Sequence, residues 1–291
     1  MKSKMVVALL CLVICDRHVT AAGLQLLTDL PFGTNAPEQK LDLYVPAAKD
    51  FPTVVYVYGG GWRSGSGKSS APIALAWQRN GIGCALVSHR LAPRDPITAQ
   101  AEDVASAFAW VKAHIGERGG DPQRVFLAGH SSGAHLALLV ATDAKYLATH
   151  KLTSVDVAGV VGLSALVDLM PHADGHGYGN VMAGPRGRGV FPSEPAQVKA
   201  ISPSEQLRQK LPCTLLLVGS DDFPMLANDA RMFAQKAEAL GTQVLVEVIP
   251  GKDHLGMARS LATENDVVFE RVTAFIRGTP TATAQKGQPV P

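Results

Sequence analysis

Apolar positions along this chain come in two rhythms. Beyond residue 40, six short apolar runs recur: "TVVYVY" (53–58), "CALVSH" (84–89), "RVFLAG" (124–129), "VAGVVGLS" (157–164), "CTLLLVG" (213–219) and "QVLVEVIP" (243–250). They barely alternate, as expected of parallel strands buried on both faces. Between them the period lengthens. In "ITAQAEDVASAFAWVKAHI" (97–115), Ile97, Ala101, Val104, Phe108, Val111 and Ile115 fall three and four apart and make one stripe of a helix. "NDARMFAQKAEALG" has an Asn/Asp start and a glycine stop, and "ENDVVFERVTAFIRG" makes a last helix. Strand–helix alternation of this length predicts an α/β fold, a mostly parallel doubly wound sheet with helices on both faces. "KLDLYVP" (40–46) and the residues before it are expected to add antiparallel strands at one edge.

The two ends break the rhythm. "MKSKMVVALLCLVIC" has Lys2 and Lys4, then an apolar stretch of eleven from Met5 to Cys15. The polar "DRHVTAAG" follows. This pattern predicts a signal peptide over residues 1–22, cleaved near Ala21 or Ala22, and hence a secreted or periplasmic protein; the alternative is a buried N-terminal element. At the other end "GTPTATAQKGQPVP" lacks apolar pattern, so residues 278–291 are expected to form a disordered tail. A single domain over 23–277 remains, with an insertion at 164–207 rich in Gly, Pro and polar groups, where a small lid is expected. Composition adds exclusions. A net charge of +2 gives no reason to expect nucleic acid as a partner. No interior apolar run reaches the ~18 residues of a membrane span, so the mature chain is expected to lack an integral membrane segment.

The first chemically suggestive stretch is "YVYGGGWRSGSGKSS" (56–70), with five glycines between Gly59 and Gly67 and a Gly-Lys-Ser ending like that of a phosphate-binding loop. A P-loop requires its first glycine where Trp62 stands, so the motif fails. The dinucleotide fingerprint fails too: Gly59 and Gly61 lead to Ser64, and Gly65 and Gly67 lead to Ser70. A flexible Gly/Ser loop is the bland alternative. However, the glycines directly follow a strand, where α/β sheets place their ligands.

A partner motif lies further on. "VFLAGHSSGAHLALLVATD" contains Gly129-His130-Ser131-Ser132-Gly133 between an apolar strand and an Ala/Leu-rich helix. G-x-S-x-G at a strand–turn–helix junction is the setting of a nucleophile elbow, although Ser-rich helix caps use the same residues. A serine hydroxyl needs a base, and the base an orienting carboxylate. In α/β-hydrolases these follow in the order Ser, Asp or Glu, His. "TLLLVGSDDFP" offers Asp221 and Asp222, and "VLVEVIPGKDHLG" offers His254, each just past a predicted strand. Acyl transfer also builds an oxyanion that backbone N–H groups must meet. One comes from Ser132, after the nucleophile, and others from a glycine loop such as "YGGGW". The later "SGSGKSS" reads as a connection into the next helix, with Ser69 or Ser70 as its cap.

On these residues the chain resembles the α/β-hydrolases, in the branch of hormone-sensitive-lipase-like carboxylesterases, bacterial feruloyl or acetyl esterases and kynurenine formamidases. "YGGGWRSG" is similar to that branch's HGGGW segment, "SHRLAPRDPITAQAEDVASAFAWV" to its YRLAP segment and following helix, and "GHSSGAHLA" to GHSAGAHLA. The similarity covers about residues 35–277. It implies a Ser131–Asp222–His254 triad, the acid falling three residues after Gly219. It also implies Gly60, Gly61 and Ser132 as oxyanion donors, a serine esterase acting on a small-molecule ester, and neither cofactor nor metal. Two positions depart: Tyr58 stands where the branch has His, and His89 where it has Tyr. The usual strand order of this fold places Cys84 and Cys213 four strand spacings apart, roughly 19 Å. That is beyond the ~7 Å limit for a bridge, so both are expected to be free.

The remaining titratable residues carry less. His130 and His135 are five apart, not a spacing that puts two ligands on one helix face, and are expected to pack or hydrogen-bond. His172 and His176 sit in a Gly-rich part of the insertion. Arg90 is expected to pair with a carboxylate such as Asp103. An amide hydrolase such as an arylformamidase would use the same triad, and a non-catalytic binding protein could share the fold.

Overall fold

The computed structural model describes residues 17–19, 23–34, 36–170 and 189–278. Three strands open the chain: β1 (Arg17–Val19), β2 (Gln25–Pro31) and β3 (Lys40–Val45). Then strands and helices alternate: β4 (Phe51–Val57), α1 (Ala71–Arg79), β5 (Gly83–Val87), α2 (Ile97–His114), β6 (Gly120–His130), α3 (Ser132–Thr142), α4 (Ala144–Ala148) and β7 (Val160–Leu163). After the insertion come α5 (Pro195–Ala200), β8 (Thr214–Gly219), α6 (Leu226–Glu238), β9 (Val244–Ile249), α7 (His254–Leu261) and α8 (Val267–Arg277).

Among the described residues the strands form one nine-stranded sheet in the order β1-β2-β3-β5-β4-β6-β7-β8-β9. The first three pair antiparallel, as expected of the N-terminal edge, and β4 to β9 pair parallel. The order reverses at β4, which has β5 on one side and β6 on the other. Ligand crevices of doubly wound sheets open at such a switch point. Register aligns the carboxyl ends of the strands that matter. Val57 lies opposite Gly129, His130 opposite Leu163, Leu163 opposite Leu217, and Gly219 opposite Ile249.

Burial explains the near-continuous apolar runs. All seven residues of β4, all five of β5 and all six of β8 are buried. Alternate side chains supply two cores. Val55 and Val57 pack with Leu127, Phe108 of α2, Leu136 of α3 and Phe233 of α6 on one face. Val54 and Tyr56 pack with Phe126, Trp77 of α1, Met257 of α7 and Val272 of α8 on the other. Each large apolar side chain so buried contributes about 1.5–3 kcal/mol relative to exposure.

Three expectations need correction. The run 157–164 yields a strand only over Val160–Leu163, because Val157 closes the single turn Ser154–Asp156, which Thr153 and Asp156 cap reciprocally. β9 is not buried on both faces: it is the outer strand, and its middle four residues are half-exposed, with Glu247 paired to Arg271. Ser70 does stand at the N-terminus of α1, but neither it nor Ser69 caps the helix, since Ser69 Oγ donates to Ser66 O and Ser70 makes no capping bond. Lys68 of the Gly-Lys-Ser ending is a surface residue whose Nζ lies 2.7 Å from an Asp29 carboxylate oxygen.

Cys84 and Cys213 are free thiols, and three strands separate β5 from β8. Of the expected leader, Arg17–Val19 forms β1; residues 1–16 and 20–22, with the tail 279–291, lie outside the described residues. So does 171–188 of the insertion, with His172 and His176. No helix among the described residues is long and apolar enough to cross a membrane.

Candidate active site

The site grows from β6. The strand runs through His130 and α3 begins at Ser132, leaving Ser131 alone to turn the chain. Its backbone is held at φ 54° and ψ −123°, a conformation costly for a residue with a side chain and characteristic of functional turns. The flanking glycines are required by close approach. A Cβ on Gly133 would strike the carbonyl oxygens of Val57 and Tyr58, and one on Gly129 would strike the Gly133 backbone. Ser131 is further held by its N–H, which donates to Leu163 O at 2.9 Å.

His254 arrives from the far side of the sheet. β9 ends at Ile249, the chain turns through Gly251, and Asp253 caps α7, which His254 opens. The helix start fixes the backbone of His254, and His130 Nε2–H donates to its carbonyl at 2.8 Å. The two imidazole rings lie 4.8 Å apart. Burial, then the neighbouring His254, push the His130 pKa down to about 4. His130 therefore stays neutral over most of the working range.

β8 delivers a carboxylate. After Gly219 the chain makes a tight turn, with Asp222 N–H donating to Gly219 O. Asp222 Oδ1 lies 2.7 Å from His254 Nδ1, and His254 Nε2 lies 2.9 Å from Ser131 Oγ. With Nδ1–H donated to the carboxylate, Nε2 is the nitrogen free to accept the serine proton. The Asp222 side chain is fully buried. Oδ1 also accepts the Phe223 N–H, and Oδ2 accepts Ser164 Oγ–H at 2.5 Å. Burial alone would raise the carboxyl pKa. The hydrogen bonds from His254, Ser164 and Phe223 outweigh it and hold Asp222 below the usual carboxylate range. The adjacent Asp221 points elsewhere, accepting the hydroxyl of Ser220.

The glycine loop after β4 reaches the same edge. Gly61 has φ +60°, and a Cβ there would meet open space. Ser132 opens α3, where first-turn N–H groups have no intrahelical acceptor. Gly60 behaves differently from the other two: its N–H donates to Ser132 Oγ at 3.0 Å, tying loop to elbow. Trp62, also at positive φ, is buried and locks the loop from below. Its Nε1–H donates to His135 Nδ1 at 3.2 Å, while His135 Nε2–H donates to Ile201 O at 2.8 Å. Burial holds the His135 pKa down at about 4. Both histidines beside the elbow thus hydrogen-bond, and no cluster of metal-ligating side chains occurs among the described residues.

The two departures at positions 58 and 89 meet each other. The rings of Tyr58 and His89 stack at 4.7 Å with an 8° interplanar angle. The exchange of Tyr and His is reciprocal, and an aromatic stack still braces the base of the loop. Arg90 pairs with Asp103 through Nε and Nη2, as expected, and the Arg90 backbone N–H and Gln39 Nε2 add a third and a fourth donor to that buried carboxylate.

Sequence reasoning did not single out Ser164, Phe223 or the hydroxyl of Ser132. Ser164 carries no motif and touches a residue 58 positions away. Phe223 follows Asp222 in the chain, and its half-exposed ring covers His254 with centroids 4.6 Å apart. A large apolar residue directly after the acid was the one signal for it.

Comparison with known proteins places the fold and the family. The chain resembles a probable isoprenylcysteine alpha-carbonyl methylesterase, ICMEL1, of Arabidopsis thaliana, at 27% identity over 83% of this chain and 54% of the relative. It thus spans little more than half the length of that protein. It is 26% identical to the kynurenine formamidase of Danio rerio over 87% of this chain and 82% of the relative. Among solved structures, esterase B from Lactobacillus rhamnosis superposes with a TM-score of 0.74 at 21% identity, covering 91% of this chain and 87% of that one, which shows the α/β-hydrolase fold. Residues 41–237, well over half of the sequence, match the BD-FAE family, and the chain belongs to it.

Proposed function

We propose that the protein is a serine carboxylesterase that hydrolyses small acyl esters through an acyl-enzyme. The observation that carries the reading is the hydrogen-bonded line Ser131 Oγ–His254 Nε2, His254 Nδ1–Asp222 Oδ1, at 2.9 and 2.7 Å. In this reading Ser131 Oγ attacks the ester carbonyl carbon and gives its proton to His254 Nε2. Asp222 stays ionised, holds the tautomer and stabilises the imidazolium. The N–H groups of Ser132 and Gly61 receive the oxyanion, and Gly60 joins them if its N–H exchanges Ser132 Oγ for the substrate oxygen. His254 then protonates the leaving alkoxide. A water repeats the sequence on the acyl-enzyme, releasing the acid and restoring Ser131. The half-exposed Phe223 beside His254 offers an apolar surface on the side where the leaving group departs.

An arylformamidase is the second reading, favoured by the coverage of the formamidase relative, which exceeds four fifths in both chains. The same triad serves an amide. The test is a panel of p-nitrophenyl esters of increasing acyl length run beside an N-formyl arylamine, with a fluorophosphonate probe as active-site label. We expect labelling at Ser131, turnover of acetyl and butyryl esters, and loss of both in Ser131→Ala with the fold intact. Near-wild-type turnover in folded Ser131→Ala would overturn the esterase reading, and a large preference for the formamide would select the second one.

A further inference from the structure

β7 contributes no member of the triad, yet its end lies between the strands that do. It pairs with β6, which delivers Ser131, and with β8, which delivers Asp222. Two consecutive residues at its carboxyl end reach both. Leu163 O accepts the N–H of Ser131 at 2.9 Å. Ser164 N–H donates to Leu217 O of β8 at 2.8 Å, and Ser164 Oγ donates to Asp222 Oδ2 at 2.5 Å. Ser164 is fully buried, so water does not compete for that carboxylate oxygen.

The backbone makes the choice of serine informative. Ser164 sits at φ 51°, a region that suits glycine or asparagine and strains other residues. A glycine would satisfy the turn, but it would leave Oδ2 of a buried carboxylate with no donor. We propose that Ser164 is a positioning residue of the esterase, holding the second oxygen of Asp222 so that the first stays aligned on His254 Nδ1. The proposal rests on the triad reading above. With both oxygens engaged, the carboxylate cannot turn about its Cβ–Cγ bond, and its charge is divided between two donors. Without the hydroxyl, the charge is concentrated on the His254 bond, the carboxylate becomes a stronger acceptor, and the imidazolium is favoured before the serine proton arrives.

Two variants separate this role from a structural one. Ser164→Gly relieves the positive φ but removes the donor. Ser164→Thr keeps a hydroxyl but places a β-branched residue at that φ. For Ser164→Gly we expect kcat on p-nitrophenyl acetate to fall about tenfold, as for loss of a hydrogen bond to a buried charge. KM should be little changed and the midpoint of the acid limb of the pH profile should rise, while the melting temperature should stay close to wild type because relief of the positive φ offsets the unsatisfied carboxylate oxygen. Ser164→Thr should melt lower yet keep more of its turnover than the glycine variant. Wild-type kcat and an unmoved acid limb in Ser164→Gly would overturn the proposal, as would activity that simply follows melting temperature across the pair. Ser131→Ala, run alongside, tells the two failures apart: if it abolishes turnover while Ser164→Gly does not, the triad reading stands and only the role of Ser164 falls.

Discussion

At residue scale, the proposed chemistry turns on which of two neighbouring carboxylates faces the imidazole. Asp221 and Asp222 are indistinguishable in charge and adjacent in the chain, but the turn after β8 sends them apart. Asp222 is buried with donors on both oxygens, whereas Asp221 is exposed and accepts only a local serine hydroxyl. Asp222→Asn would replace an acceptor facing His254 with a group that cannot stabilise an imidazolium. We expect kcat to fall by about three to four orders of magnitude, the scale set by loss of a triad acid's charge, with little change in melting. Asp221→Asn should cost less than about tenfold, or ~1.4 kcal/mol of barrier. Steady-state assays of the two purified variants decide, and an exchange of their effects would move the acid to Asp221.

At the scale of elements, the glycine loop after β4 is only as rigid as its attachment to α3. Trp62 is its larger attachment, beside the bond from Gly60 N–H to Ser132 Oγ. It is buried, packs edge-on to His135 and Phe191, and donates to His135 Nδ1. Trp62→Phe would keep most of the packing and delete the donor, leaving a buried imidazole nitrogen unsatisfied. The expected loss of stability is about 1–3 kcal/mol, read by urea denaturation, with kcat falling more than KM rises because the glycine loop loosens. A variant with unchanged stability and kcat would show that the loop is held by other means. These elements also show what was legible in the sequence and why. β4, β6 and β8 could be read because burial on both faces leaves long apolar runs, and the elbow because close backbone approach demands glycine at two fixed positions. The helix that His254 opens was not legible: its cap, Asp253, lies within a polar turn, and Gly256 interrupts the helical pattern. Nor was the hydroxyl of Ser164, since no local pattern records a contact formed when distant strands become neighbours.

At the scale of the whole molecule, the site is built around imidazoles kept neutral by burial, and this ties stability to pH. An unfolded chain binds a proton at each histidine below ~6.5. In the folded protein, His130 and His135 hold off protonation down to about 4. His89, buried under Tyr58, and the partly buried His150 are lowered in the same sense. Between these limits the unfolded state carries more protons than the folded one, so lowering the pH draws the equilibrium towards unfolding. Each such proton contributes a slope of ~1.4 kcal/mol per pH unit. Carboxylates with lowered pKa values, such as Asp222 and Glu264, act in the same direction but only once the pH falls below their unfolded values near ~4. The two effects therefore occupy different windows. We expect the free energy of urea unfolding to contain no histidine-driven slope above pH 7 and to decline between about pH 6.5 and 4 with a slope approaching two protons from His130 and His135 alone. Imidazole NMR resonances should assign the cause, with the ring signals of His130 and His135 unmoved at pH 5. A stability curve that stays flat to pH 4.5, or a His135 ring that has titrated by pH 5, would show that burial does not hold this imidazole neutral.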